Sequence, residues 1–108
     1  MRNFTMKEIS EIRAEINNGV VYCGIYKGYG VGKIYLTESG NIGWQHYGSS
    51  AVRNADEKLA WLVAHIFEDC DTIVPAEWSD YHINYVPIDR RHYKGIDHSM
   101  KHPNVLGV

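Results

Sequence analysis

The sequence predicts an α+β fold, and three observations carry that reading. A capped amphipathic helix opens the chain, alternating strands broken by glycine-marked turns fill Val20 to Gly48, and a second amphipathic stretch follows them. The expected arrangement is an N-terminal helix, a three- to four-stranded antiparallel sheet, a second amphipathic helix packed on that sheet, and an irregular C-terminal arm. Residues 1–87 form the compact domain in this reading, and 88–108 are its arm or loop.

The first helix has signals at both ends. Thr5-Met6-Lys7-Glu8 fits a capping box, in which hydroxyl and carboxylate each satisfy an otherwise unpaired N–H, and Phe4 with Ile9 is placed for a hydrophobic staple. Met6, Ile9, Ile12 and Ile16 make one apolar stripe, with Lys7, Glu11, Arg13 and Glu15 turned to water. Asn17-Asn18-Gly19 ends it, since Asn and Gly tolerate the left-handed conformation past a helix.

In the sheet region Val21, Cys23 and Ile25 alternate with Val20, Tyr22 and Tyr26, the period-two pattern of a half-buried strand. Gly28 to Gly32 is expected to close the first hairpin and Glu38-Ser39-Gly40-Asn41 the second. The second helix is expected over Asn54 to Cys70, with Leu59, Leu62, Val63, Ile66 and Phe67 as its buried face. Pro75 and Pro87 bracket a fourth, edge strand in which Tyr81, Ile83 and Tyr85 alternate with His82, Asn84 and Val86. From Ile88 onward no period is visible, so that arm is expected to order only on contact.

Composition excludes several classes. With 44% hydrophobic and 22% charged residues and a net charge of -2, the chain of 108 residues is an ordinary globular domain, neither disordered nor collagenous. No run approaches the roughly 18 apolar residues of a membrane span, and a charged N-terminus argues against a signal peptide. A cytoplasmic protein without membrane contact is expected. Cys23 and Cys70 form no CxxC motif and read as buried thiols. A domain this small gains stability by pairing, so a homodimer is a natural state for it.

The chemical motifs are mostly negative. Gly28-Tyr29-Gly30-Val31-Gly32-Lys33 is GxGxG before a strand, whereas phosphate loops need GxGxxG, or a lysine followed by Ser or Thr, before a helix. His98 and His102 bind metal only on a helix, which Pro103 opposes, so neither metal nor cofactor is expected. His46 or His82 offers a base for a small hydrolase, without any recognisable nucleophile motif. Aromatics are in excess, and Tyr26, Tyr29, Lys33, Trp44 and Tyr47, with Arg90 and Arg91, could stack on and pair with a nucleotide.

Charge is polarised along the chain. Residues 54–80 carry seven acids and one lysine, for -6, while 81–108 carry +2. Glu68, Asp69 and Asp71 sit where the expected second helix ends, at the negative end of its dipole, where acids are disfavoured. Together with Glu77 and Asp80 they either pair with Arg90, Arg91 and Lys94 of the same chain or meet a basic partner.

A capped TMKE helix, a Tyr- and Gly-dense meander and about a hundred residues without a catalytic motif resemble, in style, small phage and mobile-element accessory proteins, anti-CRISPR-like inhibitors among them. That resemblance implies a non-catalytic protein that inhibits or modulates a macromolecular partner, and the -6 segment charge, separately, points to Glu68, Asp69, Asp71, Glu77 and Asp80 as the surface that attracts a basic or nucleic-acid-binding protein. The alternatives are an oligomer that sequesters a nucleotide-type molecule and the small hydrolase.

Overall fold

The computed structural model describes residues 6–54 and 70–98. The cap at Thr5, the body of the second expected helix over 55–69, and the arm beyond residue 98 lie outside the described residues. The chain is α+β: the described residues form a helix, α1 (Met6–Asn17), and a sheet of β1 (Val21–Tyr26), β2 (Tyr29–Leu36), β3 (Ile42–His46), β4 (Arg53–Asn54), β5 (Thr72–Ser79), β6 (Asn84–Pro87) and β7 (Gly95–Ile96). The strands run β4-β3-β2-β1-β5-β6, antiparallel throughout, and β7 adds to β2 in parallel.

Helix α1 lies on one face of the sheet with Ile9, Ile12 and Ile16 buried, three of the four residues its periodicity assigns to the core. Burying three such side chains contributes about 2 kcal/mol each. Its C-terminus closes as expected. The Gly19 N–H donates to the Ile16 carbonyl and the Val20 N–H to the Glu15 carbonyl, both at 3.0 Å, with Gly19 at φ +95°.

The first hairpin corrects the sequence reading. Its turn is Lys27-Gly28, not Gly28 to Gly32, and both residues have positive φ, 50° and 88°, as a two-residue turn matched to strand twist requires. Gly30 and Gly32 belong to β2. Gly32 faces Gly24 across the ladder, and a bulge beside that pair gives Val31 no partner in β1. These two glycines make room for the Trp44 indole, which is fully buried against them: a Cβ built at Gly24 would come within 2.8 Å of the ring, and one at Gly32 within 2.5 Å. The second hairpin turns at 37–41 as expected, with Thr37 N–H donating to the Asn41 carbonyl at 2.8 Å.

Two further corrections concern the second half. Asn54, expected to cap a helix, pairs with Gly43 in β4. The single edge strand expected between the prolines is a hairpin: β5 runs through Pro75, Tyr81 to Ile83 are its turn, and β6 returns over Asn84–Pro87. Pro75 is tolerated because its carbonyl faces β6, where it accepts the Ile88 N–H at 3.0 Å, so the missing donor falls at the end of that ladder.

The second face of the sheet curls on itself. Tyr47, just past β3, donates its hydroxyl to the Tyr85 carbonyl of β6 at 3.1 Å, although β2, β1 and β5 lie between those strands in the sheet order. The contact requires a strong curl, and it caps a carbonyl on the edge strand. Cys23, Tyr47 and Ala76 form a small core inside, flanked by Val21, Ile25, Val74, Tyr85 and Ile96. Residues 88–98 fold back over this face, with the Lys94 and Asp97 N–H groups each donating at 2.7 Å, to the Gly28 and Gly30 carbonyls. That part of the expected arm is therefore seated on its own sheet.

Replacing Gly32 with Ala forces a methyl into the Trp44 ring and the Gln45 carbonyl, 2.8 Å away, and is expected to lower stability by about 2–3 kcal/mol in urea denaturation. Adding Trp44→Phe to Gly32→Ala recovers part of that loss, because the smaller ring vacates the contested space.

Candidate functional site

The sequence-predicted residues are dispersed over the molecule. Glu68 and Asp69 lie outside the described residues. Asp71 accepts the Lys27 backbone N–H at 2.7 Å and so pins the first hairpin turn. Glu77 pairs with Arg90 at 3.0 Å, and Arg90 also donates Nε to the Pro87 carbonyl. Asp80 accepts the Trp78 indole N–H at 2.8 Å. The intrachain pairing weighed from the sequence therefore holds for Glu77 with Arg90. Arg91 takes a different acid, Asp89, through Nε and Nη2, and this guanidinium holds the Asp89 carboxyl down at about 2.

The nucleotide set does not assemble as drawn from the sequence. Trp44 and Tyr47 are buried on opposite faces of the sheet. Tyr26 and Tyr29 flank the Lys27-Gly28 turn, with Lys27 Nζ 5.3 Å from one ring centre and Lys94 Nζ 5.9 Å from the other. Lys33 points to the second face, far from the paired arginines in role: it lies over the rings of Tyr35 and Tyr85.

The two histidines are equally separate. His46 is buried edge-on against Trp44, ring centres 5.2 Å apart. His82 is exposed, with Nδ1 2.9 Å from the Ser79 hydroxyl, which also accepts the His82 backbone N–H. That pair closes a turn. Among the described residues no three His, Cys, Asp or Glu side chains gather as a metal would need.

What the sequence did not reveal is the β5–β6 turn. Tyr81 is 91% exposed and Ile83 77%, and Trp78 at the stem is half-exposed. Ile83 has φ +51°, a left-handed conformation that a β-branched residue adopts only under strain. The turn is braced from within by the Ser79–His82 and Trp78–Asp80 hydrogen bonds and by edge-on packing of Trp78 on Tyr85 (5.4 Å) and of Tyr81 on His82 (5.1 Å). The fold thus holds large apolar side chains in water on a fixed platform. Their period-two spacing imitates a strand, which is why the sequence concealed the turn.

Two recesses flank this hairpin's sheet. One, of about 320 Å³, lies between α1 and β5 and is bordered by Glu8, Glu11 and Glu15, with the Tyr22 hydroxyl donating to Glu15. Burial first, and then Glu15, raises the Tyr22 phenol well above its ordinary range. The other, of about 180 Å³, is lined by Ile25, Val74 and Pro87 together with Asp89, His92 and Tyr93.

Compared with known proteins, the chain matches no family model, no curated protein and no solved structure.

Two measurements follow from these environments. Burial pushes the Cys23 thiol from its ordinary 9.0 up to about 11, with the Tyr47 hydrogen bond opposing. Because the unfolded thiol ionises first, this contribution is complete below about pH 9 and is lost as pH rises through 11. Alkaline urea titrations should show on the order of 2 kcal/mol of that loss disappear in Cys23→Ala. Ile83→Asn, which places a residue tolerant of positive φ at an exposed site, is expected to raise stability by about 1 kcal/mol in the same assay.

Proposed function

We propose that this is a small non-catalytic binding protein that inhibits or modulates a macromolecular partner, and that the β5–β6 turn is its point of contact. The observation that carries the reading is the exposure of Tyr81 and Ile83 on an internally braced turn, with strain accepted at Ile83. Rigid aromatic and branched side chains lose little entropy on docking, and such residues dominate protein interfaces when a partner excludes water around them. A strained residue left 77% exposed gains little from its own fold in return for the strain.

Acids flank the turn. Asp80 lies within it, and Glu68, Asp69 and Asp71 precede β5 in sequence, so a basic partner would be steered toward the contact over a Debye length of about 8 Å, whereas Glu77 at the stem is already paired with Arg90. In this reading the acids set the approach and the apolar turn holds the partner. The accessory style of the sequence makes nucleic-acid-binding effectors of the anti-CRISPR target class the first partners to offer.

The test is affinity measurement against such effectors with Tyr81→Ala, Ile83→Asn and the triple change Glu68→Ser, Asp69→Ser and Asp71→Ser. The two turn variants are expected to weaken binding at least about tenfold while their melting temperatures stay at or above that of the parent. The triple variant should slow association chiefly at low salt. Equal capture by parent and Tyr81→Ala would remove the turn from the interface, and gel filtration of the parent alone separates a foreign partner from a second copy.

A further inference from the structure

On the second face of the sheet, Lys33 is a cation without a described carboxylate partner. Its ammonium lies 4.7 Å from the ring centre of Tyr35 and 5.3 Å from that of Tyr85, and the side chain is half-buried. Burial lowers its pKa, as expected of a charge that has given up water for ring faces alone. Two arginines of the C-terminal half are engaged by acids, Arg90 with Glu77 and Arg91 with Asp89, and Lys94 lies over the Tyr29 ring away from this rim.

The surroundings of Lys33 are aromatic and fixed. The Tyr35 hydroxyl donates to Gln45 Oε1 at 3.3 Å, and Gln45 Nε2 donates to the Ser49 carbonyl at 2.7 Å. Tyr85 is held through its carbonyl by Tyr47, and the half-exposed Trp78 packs edge-on against it. Trp78 and Tyr85 are cross-strand partners and therefore share a face, and Tyr85 is the same ring that Lys33 overlies. A ring surface open to solvent and a cation with no carboxylate partner among the described residues thus meet through the Tyr85 ring.

We propose that this rim binds a nucleoside monophosphate, the base stacking on Trp78 and the phosphate meeting Lys33. Stacking on an exposed indole is tolerant of base identity, and a phosphate supplies the negative charge that no described carboxylate brings to Lys33. A polynucleotide requires a track of cations for successive phosphates, whereas this rim offers one on a chain of net charge -2. Trp78 stands at the stem of the exposed turn, but the two proposals are read through different residues, Lys33 here and Tyr81 and Ile83 there.

The experiment is calorimetric titration of the full chain with AMP, adenosine, inorganic phosphate and an oligoadenylate, with the Trp78 indole resonance followed by NMR. AMP is expected to saturate and to shift that resonance, with adenosine and phosphate each at least about tenfold weaker. Lys33→Met should weaken AMP by about tenfold or more, Lys33→Arg should restore most of the affinity, and Tyr81→Ala should leave it unchanged. No saturable AMP binding, or AMP binding unaltered in Lys33→Met of parental melting temperature, overturns the proposal. Phosphate binding as tightly as AMP overturns the role of the rings, and tighter binding of the oligoadenylate replaces the mononucleotide with a single strand.

Discussion

The structure depends on one close approach, that of the Trp44 indole to the backbone of β1 and β2 at Gly24 and Gly32. A ring of that size fits beneath α1 only because two facing residues carry no side chain. With the indole seated, Ile34 and Ile42 flank it in the same core and Ile9, Ile12 and Ile16 close over it. The arrangement leaves the Trp44 Nε1 without a hydrogen-bond partner among the described residues, a cost of about 1–3 kcal/mol accepted for the packing. Glycines that open space on one face also loosen the sheet, and the bulge at Val31 lies between them and the first turn.

That bulge and the curl of the second face belong together. A flat sheet would leave Cys23 and Val74 in water, whereas the curled one brings Tyr47 to the edge strand and encloses them. The same curl turns Tyr85 toward Lys33 and leaves Trp78 at the rim. The molecule therefore has two apolar faces with different means of closure, a helix on one and its own edge strand and C-terminal segment on the other.

The sequence displayed some of this clearly and hid the rest for identifiable reasons. The isoleucine stripe and the Asn-Asn-Gly stop of α1 were legible because both are local. The second hairpin was legible for the same reason. Gly28 to Gly32 misled because glycines signal positive φ and close approach with the same letter, and only Gly28 of the three serves the turn. Pro75 misled because a proline inside a paired strand is tolerated only where its missing N–H falls beyond the ladder, a property of register that no single strand displays. The acids of residues 71–80 looked like one surface in the sequence. In space Asp71 serves a turn, Glu77 an ion pair and Asp80 an indole, three local tasks that a charge count cannot separate. The exposed turn was hidden by its own alternation, and the Lys33 rim by the distance in sequence between its parts.

The parallel pairing of β7 with β2 has a consequence for how the chain is made. Tyr29 and Gly30 wait for Gly95 and Ile96, partners that leave the ribosome some sixty-five residues later, so closing this loop is the slowest-won contact in the topology. Until that pairing forms, Ile96 is absent from the flank of the Cys23 side, while the core around Trp44 does not depend on it. The β2 edge at Tyr29 and Gly30 is thus the place where a β7 segment from a second copy could pair in exchange for the chain's own.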